Sequence, residues 1–347
     1  MRHLPHIYGS FAETIGQTPL VRLGNLGANL AATVLVKLEF FNPLATVKDR
    51  PCLYMLDAAE AAGHLRPGMR VIEASRGSTA YSLASLCAAR GYRCTIVAPD
   101  TLNDQQKAWF LLLGVELVLT PPALGILGSV AKARELAARD PHSYLTGQFN
   151  NTCNVKSHYE TTAPEIWEAT RGNVDMFVAG IGSGGTFTGV GRYLKEKNPG
   201  VTLIAVEPEG AAVLAGEAPG PHGLPGIGPG FVAPVMDTHL PSRLVKVSAD
   251  DAYAAVRTVL KHEGIPIGLS SGATVHVALQ EAAKPENAGK TIVAMVTSGT
   301  ERYLSTAFAA PELAAAKALT VQPVDPAFLT EAADWALPAP AKAVASF

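Results

Sequence analysis

With 347 residues, the chain is long enough to bury two lobes that share a cleft. Its composition, 48% hydrophobic and 17% charged, is that of a soluble globular enzyme and excludes a disordered or fibrous chain. A net charge of −2 without a basic tract offers no field for nucleic acid. No apolar run approaches about 18 residues, so no membrane association is expected. The opening MRHLPHIYGSFAE lacks an apolar signal core, which points to the cytoplasm.

Taken in order, short apolar runs alternate with helical patterns. Residues 34–38, 71–73, 94–98 and 117–119 read as buried strands, and 49–62, 79–90, 104–113 and 127–138 as helices. The second half repeats the habit: helix 159–169, strand 176–179, helix 188–197, strand 203–206, helices 250–262 and 273–283, and strand 291–296. Strands separated by helices predict an α/β fold of mainly parallel twisted sheets covered on both faces, with ligands beyond the strands' carboxyl ends. Residues 216–237, rich in Gly and Pro, are too long for a simple connection and read as an active-site cover. The Ala- and Pro-rich tail has one amphipathic patch, at 328–337, and reads as a surface appendage.

Four cysteines, Cys52, Cys87, Cys94 and Cys153, form no CxxC, and the nine histidines form no HExxH, so no metal site is expected. Cys87 and Cys94 read as buried structural thiols, whereas Cys52 and Cys153 stand beside the chemical motifs.

Two motifs carry the chemistry. Asn42-Pro43-Leu44-Ala45-Thr46-Val47-Lys48-Asp49-Arg50 places an amine at the start of a helix, where burial among cationic neighbours makes a lysine a usable nucleophile. Gly180-Ile181-Gly182-Ser183-Gly184-Gly185-Thr186 joins a strand to a helix, so its N–H groups and the helix dipole form an anion site. Amine and phosphate cradle together suggest pyridoxal 5'-phosphate. A rival lies in the same letters: Gly180-x-Gly182-x-x-Gly185 with Glu207 downstream matches a dinucleotide fingerprint and would make the chain a nicotinamide dehydrogenase. Lys48 and the turn Gly268-Leu269-Ser270-Ser271-Gly272 favour pyridoxal phosphate, because a dehydrogenase has no evident use for either.

FNPxxTVKDR, the GSGGT loop, QTPLVRL from Gln17, GPHGLPGIGPGF from Gly220, GLSSGA from Gly268 and ERYLST from Glu301 closely resemble the cysteine synthases (O-acetylserine sulfhydrylases) of the fold type II pyridoxal-phosphate enzymes. The match runs in consistent order over residues 15–308. The resemblance implies two lobes with the cofactor in the cleft between them. Residues 1–155 would form the lobe with the Schiff-base lysine, with room for about the first 40 to pack on the other lobe. Residues 156–308 would carry the phosphate loop, and 309–347 the tail. It implies that Lys48 carries the cofactor, that Gly182, Ser183, Gly184, Gly185 and Thr186 hold the phosphate, and that Ser271 meets the pyridine nitrogen. Ser75, Gly77, Thr79 and Gln148 would hold the substrate carboxylate. The implied reaction is β-replacement on an O-activated L-serine, O-acetylserine or O-phosphoserine, through an aminoacrylate, with Lys48 as anchor and then general base and acid. Implied partners are the amino-acid substrate, a small nucleophile such as sulfide, a second copy in a homodimer and, by family analogy, serine acetyltransferase.

The departures from the family pattern cluster where substrate should bind. Ser78 replaces the asparagine that steadies the cofactor's ring oxygen, and Arg76 replaces a small residue beside the carboxylate cradle. Leu44-Ala45, Asn151-Thr152-Cys153-Asn154 and Ser298-Gly299-Thr300 also differ. These changes predict altered substrate choice, with the Arg76 fork suited to a carboxylate or phosphate. Ammonia giving 2,3-diaminopropionate, cyanide as nucleophile, and a catalytically silent relative stay open as alternatives.

Overall fold

The computed structural model describes residues 7–326 together with Phe328. The chain forms one compact unit through Tyr303, and a second, small unit begins at Leu304. In the first unit the elements are β1 Leu20–Arg22, β2 Thr33–Leu38, α1 Asp49–Ala61, β3 Arg70–Ala74, α2 Ser78–Arg90, β4 Arg93–Pro99, α3 Asp104–Leu112 and β5 Glu116–Thr120. There follow α4 Gly125–Arg139, β6 Ser143–Leu145, α5 Cys153–Ser157, α6 Ala163–Ala169, β7 Met176–Gly180, α7 Gly185–Lys197 and β8 Thr202–Pro208. Last come β9 Arg243–Val247, α8 Ala249–Glu263, α9 Leu269–Ala282 and β10 Thr291–Val296. The second unit contains the short, solvent-exposed helix α10, Ala310–Lys317. The amphipathic patch expected at 328–337 falls, apart from Phe328, outside the described residues.

Two sheets organise the first unit. The larger has strand order β1-β2-β10-β7-β8-β9 and the smaller β5-β4-β3-β6. All neighbouring pairs are parallel except β1 with β2, where Leu20 faces Lys37. The expected α/β architecture of parallel sheets covered by helices is therefore what the chain adopts. β1 and β2 precede the whole small sheet in sequence yet belong to the large one, where β2 pairs with β10, Val34 opposite Ile292 and Val36 opposite Ala294.

Each sheet has its own apolar core. Met55, Leu56, Leu83, Leu86, Ile96 and Phe110 are buried together beside the small sheet. Phe177, Phe187, Val190, Leu194, Leu203 and Met295 are buried against the large one. Helix α1 bridges them: Val47, just before it, belongs to the large-sheet core, while Cys52 and Met55 within it belong to the other. Lys48 thus stands where the two cores meet.

The strongest periodic segments appear within a residue or two of the expected positions. The sequence reading missed β1, β6 and β9. The first two have three residues each, too few for a period, and Arg243–Val247, on a sheet edge, mixes two charges with apolar side chains without a period of two. Helices α7 and α9 begin three and four residues earlier than expected, because their first turns are Gly, Ser and Thr, poor helix formers held here by packing. The helix expected at 159–169 is instead α5, a π turn at His158–Thr162, and α6. Pro164 offers no N–H to the ladder, and the Ala163 N–H reaches back to His158 O.

Candidate active site

The loops that follow the carboxyl ends of β3, β6, β7 and β10 converge, as parallel strands require. After β7, the loop into α7 is built around glycines. A Cβ on Gly182 would stand 2.5 Å from the Gly226 carbonyl oxygen, and one on Gly185 would stand 2.1 Å from Asn154 Oδ1. Gly184, at φ +83°, occupies the left-handed region. Among the described residues, the only N–H from Gly182 to Thr186 with a protein acceptor is that of Gly185, 3.4 Å from Ser183 Oγ. A helix N-terminus with its N–H groups left over is a ready anion site.

Lys48 lies immediately before α1, half-buried. Its ammonium has no hydrogen-bond acceptor among the described residues, and burial pushes its pKa below the usual lysine value. The next residue is also displaced: burial raises Asp49 to about 6, even though Ser82 Oγ (2.5 Å) and the Leu44 N–H (2.9 Å) both donate to its carboxylate. His158 sits behind the phosphate loop, its Nε2 3.1 Å from Thr186 Oγ1 and its Nδ1 2.9 Å from Thr162 Oγ1. Burial, then the charges of Lys48 and Arg50, hold this imidazole well below its ordinary pKa and therefore neutral. The sequence reading did not single out His158, which belongs to no cluster visible along the chain, and named Asp49 only within the lysine motif.

The small-sheet side supplies a polar wall. Ser75 Oγ accepts the Gly77 N–H at 3.3 Å, and Thr79 Oγ1 donates to Gln148 Oε1 at 2.6 Å. Gln148 Nε2 in turn donates to Ala74 O at 3.2 Å. Ser75, Thr79 and Gln148 are buried, and Ser78 opens α2 half-buried. Asn154, named from the sequence only within the altered run Asn151–Asn154, links this wall to the glycine loop. Its Nδ2 donates to Gln148 O at 2.8 Å and to Ser183 Oγ at 2.9 Å, while its buried Oδ1 has no partner among the described residues. Ser271, fully buried in the first turn of α9, accepts the Thr297 N–H at 2.9 Å. Thr297 O accepts the N–H of Val47, so Ser271 and Lys48 are one residue's width from a common support.

The Gly- and Pro-rich stretch lies over the phosphate loop. The Gly228 N–H donates to Ile181 O at 2.9 Å, and Phe231 meets Phe149 edge-on with centroids 5.0 Å apart. His222 staples this stretch internally, Nε2 to Gly228 O at 2.9 Å and the Leu224 N–H to Nδ1 at 3.3 Å. Arg76 is exposed and makes no ion pair among the described residues. Its charge nevertheless reaches His222, whose pKa burial already lowers against the pull of the Gly228 carbonyl.

The dinucleotide reading fails on Glu207. That carboxylate is buried and accepts the Leu214 N–H at 2.9 Å and the Ala215 N–H at 3.0 Å, so it fastens a turn and is not presented to a ribose. Of the motif cysteines, Cys52 is fully buried with a thiol raised well above its ordinary pKa by burial, and Cys153 is raised too. Neither is a nucleophile.

An unpaired amine whose charge reaches His158, itself hydrogen-bonded to Thr186 of a bare glycine loop, fits a phosphorylated aldehyde, and comparison with known proteins agrees. Residues 11–298 match the family model for pyridoxal-phosphate dependent enzymes, so the chain belongs to that family, is an enzyme and uses pyridoxal 5'-phosphate. More particularly, it is 42% identical to a cysteine synthase of Staphylococcus aureus (strain Mu50 / ATCC 700699) over 299 residues, 86% of this chain and 96% of that one. The solved cysteine synthase of Entamoeba histolytica superposes with a TM-score of 0.85 at 39% identity, covering 93% of this chain and 95% of the other. O-ureido-L-serine synthase superposes at 0.84 with 38% identity, covering 94% and 100%.

Proposed function

We propose that this enzyme carries out β-replacement on an O-activated L-serine, in the manner of a cysteine synthase, with Lys48 as the residue that holds the cofactor. The observation that carries the reading is the lone amine of Lys48 on the seam between two cores, its charge reaching His158, which hydrogen-bonds Thr186 of the glycine loop. When bound, pyridoxal phosphate supplies the electron sink that makes the Cα proton acidic and the Cβ leaving group labile. The N–H groups of Gly182, Ser183, Gly184, Gly185 and Thr186 hold its phosphate, and Ser271 meets its ring nitrogen. Ser75, Gly77, Thr79 and Gln148 grip the substrate carboxylate. Lys48 Nζ, once displaced by the incoming amine, takes the Cα proton. A lowered pKa keeps part of that amine neutral, as a base must be. Ser78 stands beside the ring oxygen with one hydroxyl, leaving this contact weaker than an amide would make it.

Arg76 decides the donor. An unpaired guanidinium at the mouth of the site favours an anionic leaving group, so O-phosphoserine is the preferred substrate over O-acetylserine. The likeness to O-ureido-L-serine synthase supports a second reading, in which the altered pocket admits a nucleophile other than sulfide. Ammonia and cyanide are then the candidates. The family reading also carries a cytoplasmic homodimer and, by analogy alone, docking of a serine acetyltransferase.

The test joins labelling to kinetics. Borohydride reduction of the yellow protein followed by peptide mass spectrometry places the cofactor adduct on Lys48. The Arg76→Ala protein then loses about tenfold in kcat/KM for O-phosphoserine relative to O-acetylserine, the worth of one charge-assisted hydrogen bond. An adduct on another residue ends the Lys48 reading, and an unchanged ratio ends the role of Arg76.

A further inference from the structure

The turn that leads into Lys48 holds its backbone against preference. Ala45 sits at φ +52°, one of three non-glycine residues in the left-handed region among the described residues. A Cβ disfavours that region, and alanine has no side-chain hydrogen bond to offset the cost. The backbone has one local escape, rotation of the Leu44–Ala45 peptide, which carries the Leu44 carbonyl and the Ala45 N–H and sets φ of Ala45. Both groups are held. The Ala45 N–H donates to Asn42 O at 2.8 Å, and Arg302 Nη2 donates to Leu44 O.

The two posts are themselves fixed. Asn42 is buried, its Nδ2 donating to Glu39 O and Glu39 Oε2, each at 2.9 Å, and its Oδ1 accepting the Gly16 N–H at 2.8 Å. Arg302 lies over the Tyr81 ring of α2, its Cζ 4.8 Å from the centroid. The chain beneath it is tied down at Thr300, whose N–H donates to Pro266 O at 3.1 Å and whose Oγ1 donates to Ile267 O at 2.7 Å. The turn also reaches α1 directly, since the Leu44 N–H donates to the carboxylate of Asp49, the helix's first residue, at 2.9 Å. A turn that rearranges therefore disturbs the start of the helix beside Lys48.

We propose that Arg302 is a positioning residue, which pins the Leu44–Ala45 peptide in its left-handed turn and so fixes the segment that presents Lys48. The proposal rests on the reading above that Lys48 holds the cofactor. A planar guanidinium suits the task, because its face rests on a ring while an edge N–H donates to a carbonyl. One side chain thereby joins the lysine turn to α2, the helix that begins at the polar wall.

The experiment is a double-mutant cycle of Arg302→Met and Ala45→Gly in the holoenzyme. Methionine keeps a contact with the Tyr81 ring but has no donor for Leu44 O. Two quantities are read: deuterium-exchange protection of the residue-45 amide, and kcat with O-acetylserine and sulfide. Arg302→Met is expected to lower each about tenfold. With Ala45→Gly already in place it lowers each by less than about twofold, because glycine keeps the turn unaided. An equal loss in both backgrounds, or no loss in the parent, overturns the proposal. Protection lost while kcat holds overturns the link to Lys48. Should Arg302→Met fail to fold by circular dichroism, Ala45→Val decides: a β-branched residue resists the left-handed region more strongly, so unchanged protection of its amide overturns the proposal. Borohydride labelling keeps the two readings apart, since an adduct on another residue overturns the role of Lys48 whatever the exchange shows.

Discussion

Asp49 carries a cost that its neighbour Lys48 makes visible. Only 1% of its surface is exposed, and burial raises its pKa to about 6 against the two donors that stabilise its charge. For a carboxyl whose folded pKa lies above its unfolded value, the native state holds the extra proton between the two. Its contribution to stability is complete below the unfolded pKa of about 4 and is lost as pH rises through about 6. Asp49→Asn keeps the geometry, since the amide can accept from the Leu44 N–H and donate to Ser82 Oγ. Urea unfolding should therefore show the variant gaining on the parent by on the order of 2 kcal/mol at pH 7.5 relative to pH 4. A constant difference across that range would show that folding does not displace the Asp49 pKa.

Among elements, the loop after β7 and the stretch over it act as one device. Gly182 has ordinary φ, so its need for glycine is purely steric: the Gly226 carbonyl lies where a Cβ would go. Gly182→Ala should lift the covering stretch rather than unfold the chain. The expected outcome is a cofactor dissociation constant raised about tenfold to a hundredfold, equivalent to the 1–3 kcal/mol of a typical overpacked methyl, measured by fluorescence titration of the apoprotein. At Gly24, by contrast, far from this loop in sequence and outside the site, a Cβ meets open space, so Gly24→Ala is the control that leaves this constant unchanged. Equal effects of the two variants would remove the steric argument.

Across the whole first unit, α1 is anchored by buried charge. The Arg50 Nε and Nη2 donate to Glu39 at 2.7 and 2.9 Å, and Nη1 and Nη2 donate to Glu165 at 2.6 and 2.7 Å. Lys37 Nζ also donates to Glu165 at 2.6 Å. Burial alone would raise both carboxyls, but Arg50 outweighs it and holds each below its usual value. The cluster ties β2 and α6 to the helix that presents Lys48. Arg50→Ala strands two carboxylates and should lower unfolding stability by about 3–5 kcal/mol, read as a fall in the urea midpoint. An unmoved midpoint would mean that the carboxylates find other donors.

Local pattern, read along the chain, determined the elements and the class of chemistry. Apolar runs alternating with helical periods specify parallel sheets, because an amphipathic helix and an apolar strand have few other ways to bury their faces. A strand running into Gly180–Gly185 specifies an anion site, because glycine lets N–H groups approach a ligand. Those inferences need only neighbours in sequence. The tertiary structure alone decided that β2, with β1 alongside, pairs with β10, that Glu207 accepts from Leu214 and Ala215, and that Asn154, His158 and Thr297 stand at the site. Each of these pairs residues between 7 and 258 positions apart, or depends on which of two acceptors a buried group reaches first. Such choices are made by the packing of whole lobes, and no local periodicity records them.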